Sequence, residues 1–300
     1  MNAYMMGVAT QIVIQAIAAY GLNIIVGYAG QISLGHAAFL GIGAYASAML
    51  TTAGGLTFWQ ALPFVLLIVG SIGFLCGLPS LRVKHDFLAI TTIGINFIVV
   101  AVFQYTPALG GALGIGGIPR VTLFGTALRT NGFFFLCLFF LAVVILLSWA
   151  FTKTWAGLAC FAVRDNETAA SSMGVSAVRT KLTAFVIGTL MAGLAGALYA
   201  HYMRFIAADS FAFPVSVTLL SLVIVGGIGT VFGPLLGAVI LGILPEVFRP
   251  LVDYRMFLYA ALLLFMIRFR PEGILGRRQK RFTAPAAADK DAAGTTEGGA

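Results

Sequence analysis

Charge is scarce in this chain. Of its 300 residues, 9% are Asp, Glu, Lys or Arg, against 60% hydrophobic residues and a mean hydropathy of +1.00. A soluble domain carries about 25% charged and about 45–50% apolar residues, so the composition excludes both an ordinary globular protein and a disordered chain. Lipid is the solvent for most of it. At about 20 apolar residues per spanning helix, 300 residues leave room for roughly eight to ten spans with short loops and for no large soluble domain. Any ATPase, kinase or extracellular binding domain would belong to another chain.

Other features are missing too. Cys76, Cys137 and Cys160 are widely separated, without metal-ligand or CxxC spacing, and read as small apolar packing residues. No Lys or Arg precedes the first apolar stretch, which argues against a cleaved signal peptide. There is no G-x-x-x-x-G-K-[ST] phosphate loop for ATP hydrolysis. His36, His85 and His201 lack nucleophile or metal partners at useful spacing, so no catalytic residue, metal or cofactor is expected.

What is present is a series of apolar stretches, at 4–26, 34–52, 58–79, 87–106, 132–151, 182–203, 213–228, 232–248 and 254–269. The expected fold is all-α: a polytopic membrane domain over 1–281 and a disordered cytoplasmic tail over 282–300. The segments 80–86 and 152–181 together with the C-terminal region hold 13 of the 18 basic residues. By the positive-inside rule these face the cytoplasm. With nine spans the C-terminus is then inside and the N-terminus outside, and one re-entrant segment near the front would reverse the N-terminal side. Between Arg268 and Arg281, six basic residues stand against Glu272 alone. Such a run after a span fits an anchor on anionic lipid, and no second basic surface supports nucleic-acid binding.

The Gly- and Pro-rich stretch 107–131 reads as an ordered extracytoplasmic loop or re-entrant turn, with a flexible linker as the alternative. Gly229, Gly233 and Gly237, and likewise Gly73 and Gly77, are spaced to let helices approach closely, while Pro234 and Pro245 can break or kink a helix. Gly27-Tyr-Ala-Gly30 and Gly226-Gly-Ile-Gly229 hint at two related halves, although a glycine pattern alone does not establish a repeat.

Asp86, Asp165, Glu167, Asp209, Glu246, Asp253 and Glu272 all fall in loops or at span boundaries. Proton-coupled and many ion-coupled carriers need an ionisable group inside the membrane. Coupling energy is therefore expected from outside it. A sodium site built from carbonyl and hydroxyl oxygens would evade this argument, which leaves an ion-coupled secondary carrier or channel for a small polar solute as the alternative. Neutral polar residues remain within the apolar stretches: Asn23, Gln31, Ser33 and His36 near the front, and Thr91, Thr92, Asn96 and Gln104 in the fourth stretch. They either bond neighbouring helices or line a path, and Asn23, Gln31, Ser33, His36, Thr91 and Asn96 are the path candidates.

The loop 153–181 is polar on both flanks with a helical middle. Asp165 or Asn166 can cap a short helix that Gly174 stops. Such a helix suits docking into a groove on a soluble partner, or else lies on the membrane surface.

Glu167-Thr-Ala-Ala-Ser-Ser-Met-Gly174 resembles the E-A-A-x-x-x-G loop of ABC importer permeases, with Thr168 replacing the first Ala. Further runs are similar to LivM-type permeases of the branched-chain amino acid ABC transporter family: Gly21 to Tyr45, Phe87 to Gly94, Arg164 to Gly174, Thr183 to Ala200, Gly226 to Ala238 and Arg270 to Gly276. The resemblance implies an ABC importer permease fold in the bacterial cytoplasmic (inner) membrane. It implies a second, LivH-type permease subunit, two cytoplasmic ABC ATPase subunits and a substrate-binding protein as partners. Arg164, Glu167, Ala169, Ala170 and Gly174 would then form the ATPase-coupling element. The substrate would be a branched-chain or related amino acid, and the family also includes permeases for urea and short amides.

Overall fold

The computed structural model describes residues 3–80, 85–123, 126–247, 264, 268 and 273–276. A backbone in hydrocarbon must satisfy its own hydrogen bonds, and helices do so within one segment. The described chain is accordingly helical: α1 (Ala3–Leu22), continuing into a π-helix (Asn23–Tyr28), then α2 (His36–Thr52), α3 (Phe58–Ser80), α4 (His85–Tyr105), α5 (Thr130–Lys153), α6 (Trp155–Asp165), α7 (Glu167–Ser172), α8 (Ala177–Met203), α9 (Phe213–Gly226) and α10 (Gly233–Val247). Six segments are long and apolar enough to cross a membrane, and α2 and α10 are shorter. Together they account for eight of the nine apolar stretches. The ninth, 254–269, lies outside the described residues apart from Leu264 and Arg268, as do the tail 282–300 and most of the basic run.

Both short helices begin within the bundle. His36, the first residue of α2, places Nε2 3.1 Å from the Ala18 carbonyl. Ala18 lies ten residues before the end of the π-helix, roughly 10–15 Å along the axis. The chain thus passes Tyr28, climbs back as irregular backbone, and resumes as helix inside the protein. At the α9–α10 turn, Gly227 and Gly229 have φ of 126° and 77°, a left-handed region open to glycine. The segment 273–276 seals this turn, with Ile274 N–H donating to Val225 O at 3.0 Å and Leu275 N–H to Gly226 O at 3.1 Å.

At the centre α8 packs against α1, α2 and α3. Small residues make this possible. A Cβ on Gly196 would lie 2.0 Å from the Leu40 carbonyl oxygen, and one on Gly43 would lie 2.3 Å from that of Gly193. Van der Waals contact and close backbone approach drive helix association in lipid, where lipid tails compete equally for apolar side chains. Gly73 and Gly77 also face α8, against Thr189 and Phe185. The expected glycine face on α10 is corrected in part: Gly233 and Gly237 pack on α9, but Gly229 belongs to the preceding turn rather than the helix.

The stretch 107–131 is ordered where described. Strand β1 (Ile115–Gly116) ends up antiparallel to a strand after α8, and β2 (Thr122–Leu123) pairs with β3 (Thr126–Ala127). The partner of β1 is β4 (Phe205–Ile206). His201 pins the loop from below: Nδ1 lies 2.8 Å from Pro119 O and Nε2 3.1 Å from Ser47 Oγ. Ile118 and Val121 are buried under it. His201→Ala is expected to free the loop, read as cleavage within 107–131 by an added protease under conditions that leave the unmodified protein intact. Equal resistance in both proteins would show that the strand pairing holds the loop unaided.

Candidate functional site

Most of the polar residues named from the sequence fall into two groups, while Gln104 is exposed on α4. The first joins three distant parts of the chain at the far end of α1. In a π-helix the wider turn offsets the backbone ladder, and such turns recur at functional sites. Within this one, Gly27 presents its carbonyl to the Arg164 guanidinium, which donates to it from α6. Gly27 also touches the α9–α10 turn: a Cβ there would lie 2.6 Å from Gly229 N. Asn23, fully buried, spans the same junction with both ends of its amide. Its Nδ2 donates to Thr230 O at 3.0 Å, and its Oδ1 accepts from Gly229 N–H at 2.9 Å. The two glycine clusters that hint at a repeat therefore meet in space, and Arg164 lies against both.

Around this junction the loop 153–181 resolves into two helices rather than one. Thr154 caps α6, its Oγ1 accepting from Gly157 N–H at 3.2 Å. Asn166 caps α7, its Oδ1 accepting from Ala169 N–H at 3.0 Å, so of the two expected caps it is Asn166 that serves. Gly174, at φ 85°, supplies the left-handed stop. Glu167 faces back to the protein, with Oε2 accepting from Lys181 Nζ at 2.6 Å. The Lys181 backbone carbonyl in turn accepts from Gln31 Nε2 at 3.0 Å, tying α7 and α8 to the returning backbone after the π-helix. Ala170 is buried, whereas Ala169, Met173 and Gly174 are exposed on the outer surface. Burial pushes the Cys160 thiol in α6 up to about 11, so it is a poor nucleophile at neutral pH.

The second group surrounds the start of α2. Leu34 N–H donates to Thr92 Oγ1 at 3.0 Å, and Ala37 N–H donates to Ser216 Oγ at 2.9 Å. Hydroxyls from α4 and α9 thus satisfy backbone donors at a helix start that lacks its own side-chain cap. Asn96, one turn beyond Thr92, donates to Phe211 O at 3.2 Å. The sequence paired Thr91 with Asn96, but Thr92 is the residue sharing the Asn96 face, because i and i+4 align on a helix. Thr91 is half-buried beside it. Gln31 Oε1, Ser33 Oγ, His36 Nδ1 and Asn96 Oδ1 are buried without a hydrogen-bond partner among the described residues. Sequence reasoning missed Lys181 as the partner of Glu167, and it missed Ser216. It also passed over Gln11 and Gln15, whose i, i+4 spacing inside an apolar stretch was a usable signal.

Residues 4–267 match the model of the family described as branched-chain amino acid transport system / permease component. The chain is 37% identical over 293 residues to the high-affinity branched-chain amino acid transport system permease protein LivM of Salmonella typhimurium, covering 89% of this chain and 69% of that protein. Identity and coverage are the same for the LivM protein of Escherichia coli. The high-affinity branched-chain amino acid transport system permease protein LivH of Escherichia coli is 32% identical over 123 residues, 40% of each chain. No solved structure matches. This chain, a multi-pass membrane protein, belongs to the family of branched-chain amino acid transport system permease components.

Proposed function

We propose that the chain is a membrane-spanning permease subunit of an ATP-driven importer for branched-chain or related amino acids in the bacterial cytoplasmic membrane. It works with a LivH-type permease, two cytoplasmic ATPases and a substrate-binding protein that delivers the amino acid. The observation that carries this reading is the junction of Arg164, Gly27, Asn23 and Gly229. α6 and α7 lie outside the spans on a strongly basic side, where the positive-inside rule puts the cytoplasm. When the ATPases close, they push the exposed face of α7. Glu167–Lys181 and Arg164–Gly27 carry that push to α8, to the π-helix and to the α9–α10 turn together. A π-helix held by a side chain from another element is suited to switch between two arrangements, which a passive gate requires.

Reconstitution tests this. Leucine should enter proteoliposomes only when the two permeases, the ATPases, the binding protein and ATP are all present; uptake by the purified chain alone under an ion gradient would refute the proposal. A charge exchange tests the transmission step. Glu167 is 41% exposed by side chain, so solvent screens the pair and its worth is on the order of 1 kcal/mol. Glu167→Lys and Lys181→Glu, each leaving like charges opposed, are each expected to lower uptake about fivefold. The double exchange restores the pair and should recover most of the loss. Unchanged uptake in both single variants would remove the pair from the coupling route.

A further inference from the structure

One side of the bundle is unlike the others. Along α3, α4 and α5 the exposed positions include Leu67, Phe74, Phe97, Ile98, Phe139 and Leu146, side chains that hydrocarbon solvates well. On the first span, Tyr4–Tyr28, the exposed position beyond the opening turn is Gln11, and half-buried Gln15 follows one turn later. Neither amide has a hydrogen-bond or ionic partner among the described residues. A primary amide facing lipid without a partner is costly, so water, solute or protein must meet it.

The two amides line a cleft of about 340 Å³ between α1, α9 and α10, with Thr218 among its walls. A second cavity of about 120 Å³ shares Gln11, Gln15 and Thr218 and continues toward Ser210 and Tyr199. Pro245, inside α10, has no N–H to return to the Leu241 carbonyl four residues earlier, and both residues line the cleft. Glu246 lies at the end near Tyr4, whose hydroxyl donates to its Oε2 at 2.5 Å. The remaining walls, such as Ile12 and Leu222, are apolar.

We propose that this cleft is the chain's half of the translocation path, a low-affinity site for a small zwitterionic amino acid with an aliphatic side chain. The inference rests on the permease function proposed above. Amide and carbonyl groups serve both the ammonium and the carboxylate of such a solute, and the apolar wall receives its side chain. Gln11 and Gln15 bear no fixed charge, so the solute is not held tightly enough to stall release. The carboxylate of Glu246 attracts the ammonium at the mouth. Sequential neutral contacts of this kind are what a path needs, because binding must permit both entry and departure.

The test is thiol labelling in the reconstituted complex with its second permease and ATPases. The background carries Cys76→Ser, since Cys137 and Cys160 are buried. Gln15→Cys on α1 and, independently, Thr218→Cys on α9 are expected to react with a water-soluble cationic methanethiosulfonate about tenfold faster or more than Phe97→Cys, because a thiol in hydrocarbon does not ionise. Leucine at about twice its half-saturating concentration should slow that reaction about threefold. Should one variant fail to assemble, the other gives the same readout. Reaction no faster than that of Phe97→Cys, or reaction that leucine does not slow, overturns the assignment. ATP-driven leucine uptake by the unmodified complex separates the two failures. Uptake with an unreactive cleft rejects this site alone, and no uptake rejects the permease function and the site with it.

Discussion

Arg164→Ala is expected to reduce ATP-driven uptake by the assembled transporter about tenfold or more while its ATPase activity persists. The guanidinium donates to the carbonyl of Gly27 within the π-helix, across 137 residues of sequence. A hydrogen bond from a charged donor is worth about 1.5–3 kcal/mol, equivalent to a roughly ten- to hundredfold bias between two arrangements of the helix. On the proposed coupling route, losing this bond leaves α6 able to dock while its movement no longer reaches the first span. Arg164→Lys keeps the charge and loses the planar fork, so it should transport better than alanine and worse than arginine. Arg179→Ala is the control: an exposed basic residue on the same side, with no comparable contact to the π-helix. Uptake by Arg164→Ala within about twofold of the unmodified transporter would remove Arg164 from the coupling route. If ATPase activity and uptake fell in strict proportion, the residue would serve docking rather than transmission.

Asn23→Leu should cost both stability and transport. The branching at Cγ is kept, yet Gly229 N–H and Thr230 C=O each lose a partner in a buried place. Each orphaned group costs about 1–3 kcal/mol, and in a chain of this size that total lowers the thermal midpoint of the purified complex by roughly 5 °C or more. Asn23→Asp separates the two bonds. It can still accept from Gly229 N–H, but it turns a carboxylate oxygen toward the Thr230 carbonyl and places a charge where none is compensated. Both variants are expected to lose uptake. A midpoint and an uptake rate unchanged in Asn23→Leu would mean that Gly27 and Gly229 hold the junction by packing alone.

Much of this was legible beforehand, and the reasons are local. An apolar stretch reports its own solvent, so all nine stretches could be marked from the sequence; eight correspond to described helices, and the ninth lies outside the described residues apart from Leu264 and Arg268. The short helix after Asn166 could be read because capping and a left-handed glycine stop depend on residues within one or two turns. The residues expected to form the coupling element lie there: Glu167, Ala169 and Ala170 on that helix, Gly174 just after it, and Arg164 on the helix before it. Less was legible where hydrogen-bond partners are far apart. Thr91 and Thr92 are equivalent in composition and differ only in which face they occupy. Gln11 and Gln15 look like ordinary interhelical polar residues until the helices around them leave one side open.

The sequence by itself determined that this is a membrane protein of the all-α class, in which segments its basic residues cluster, and where a short helix interrupts its spans. Hydropathy, charge and capping are properties of neighbouring residues, and they survive without a fold. Only the tertiary structure decided that Gly27, Arg164 and Gly229 share one junction, that α2 and α10 begin inside the bundle, and that two neutral amides open onto a cleft. Those outcomes rest on close backbone approach at glycine and on single bonds to uncharged carbonyls. Neither leaves a periodic or electrostatic trace along the chain, so their partners emerge only when the helices have packed.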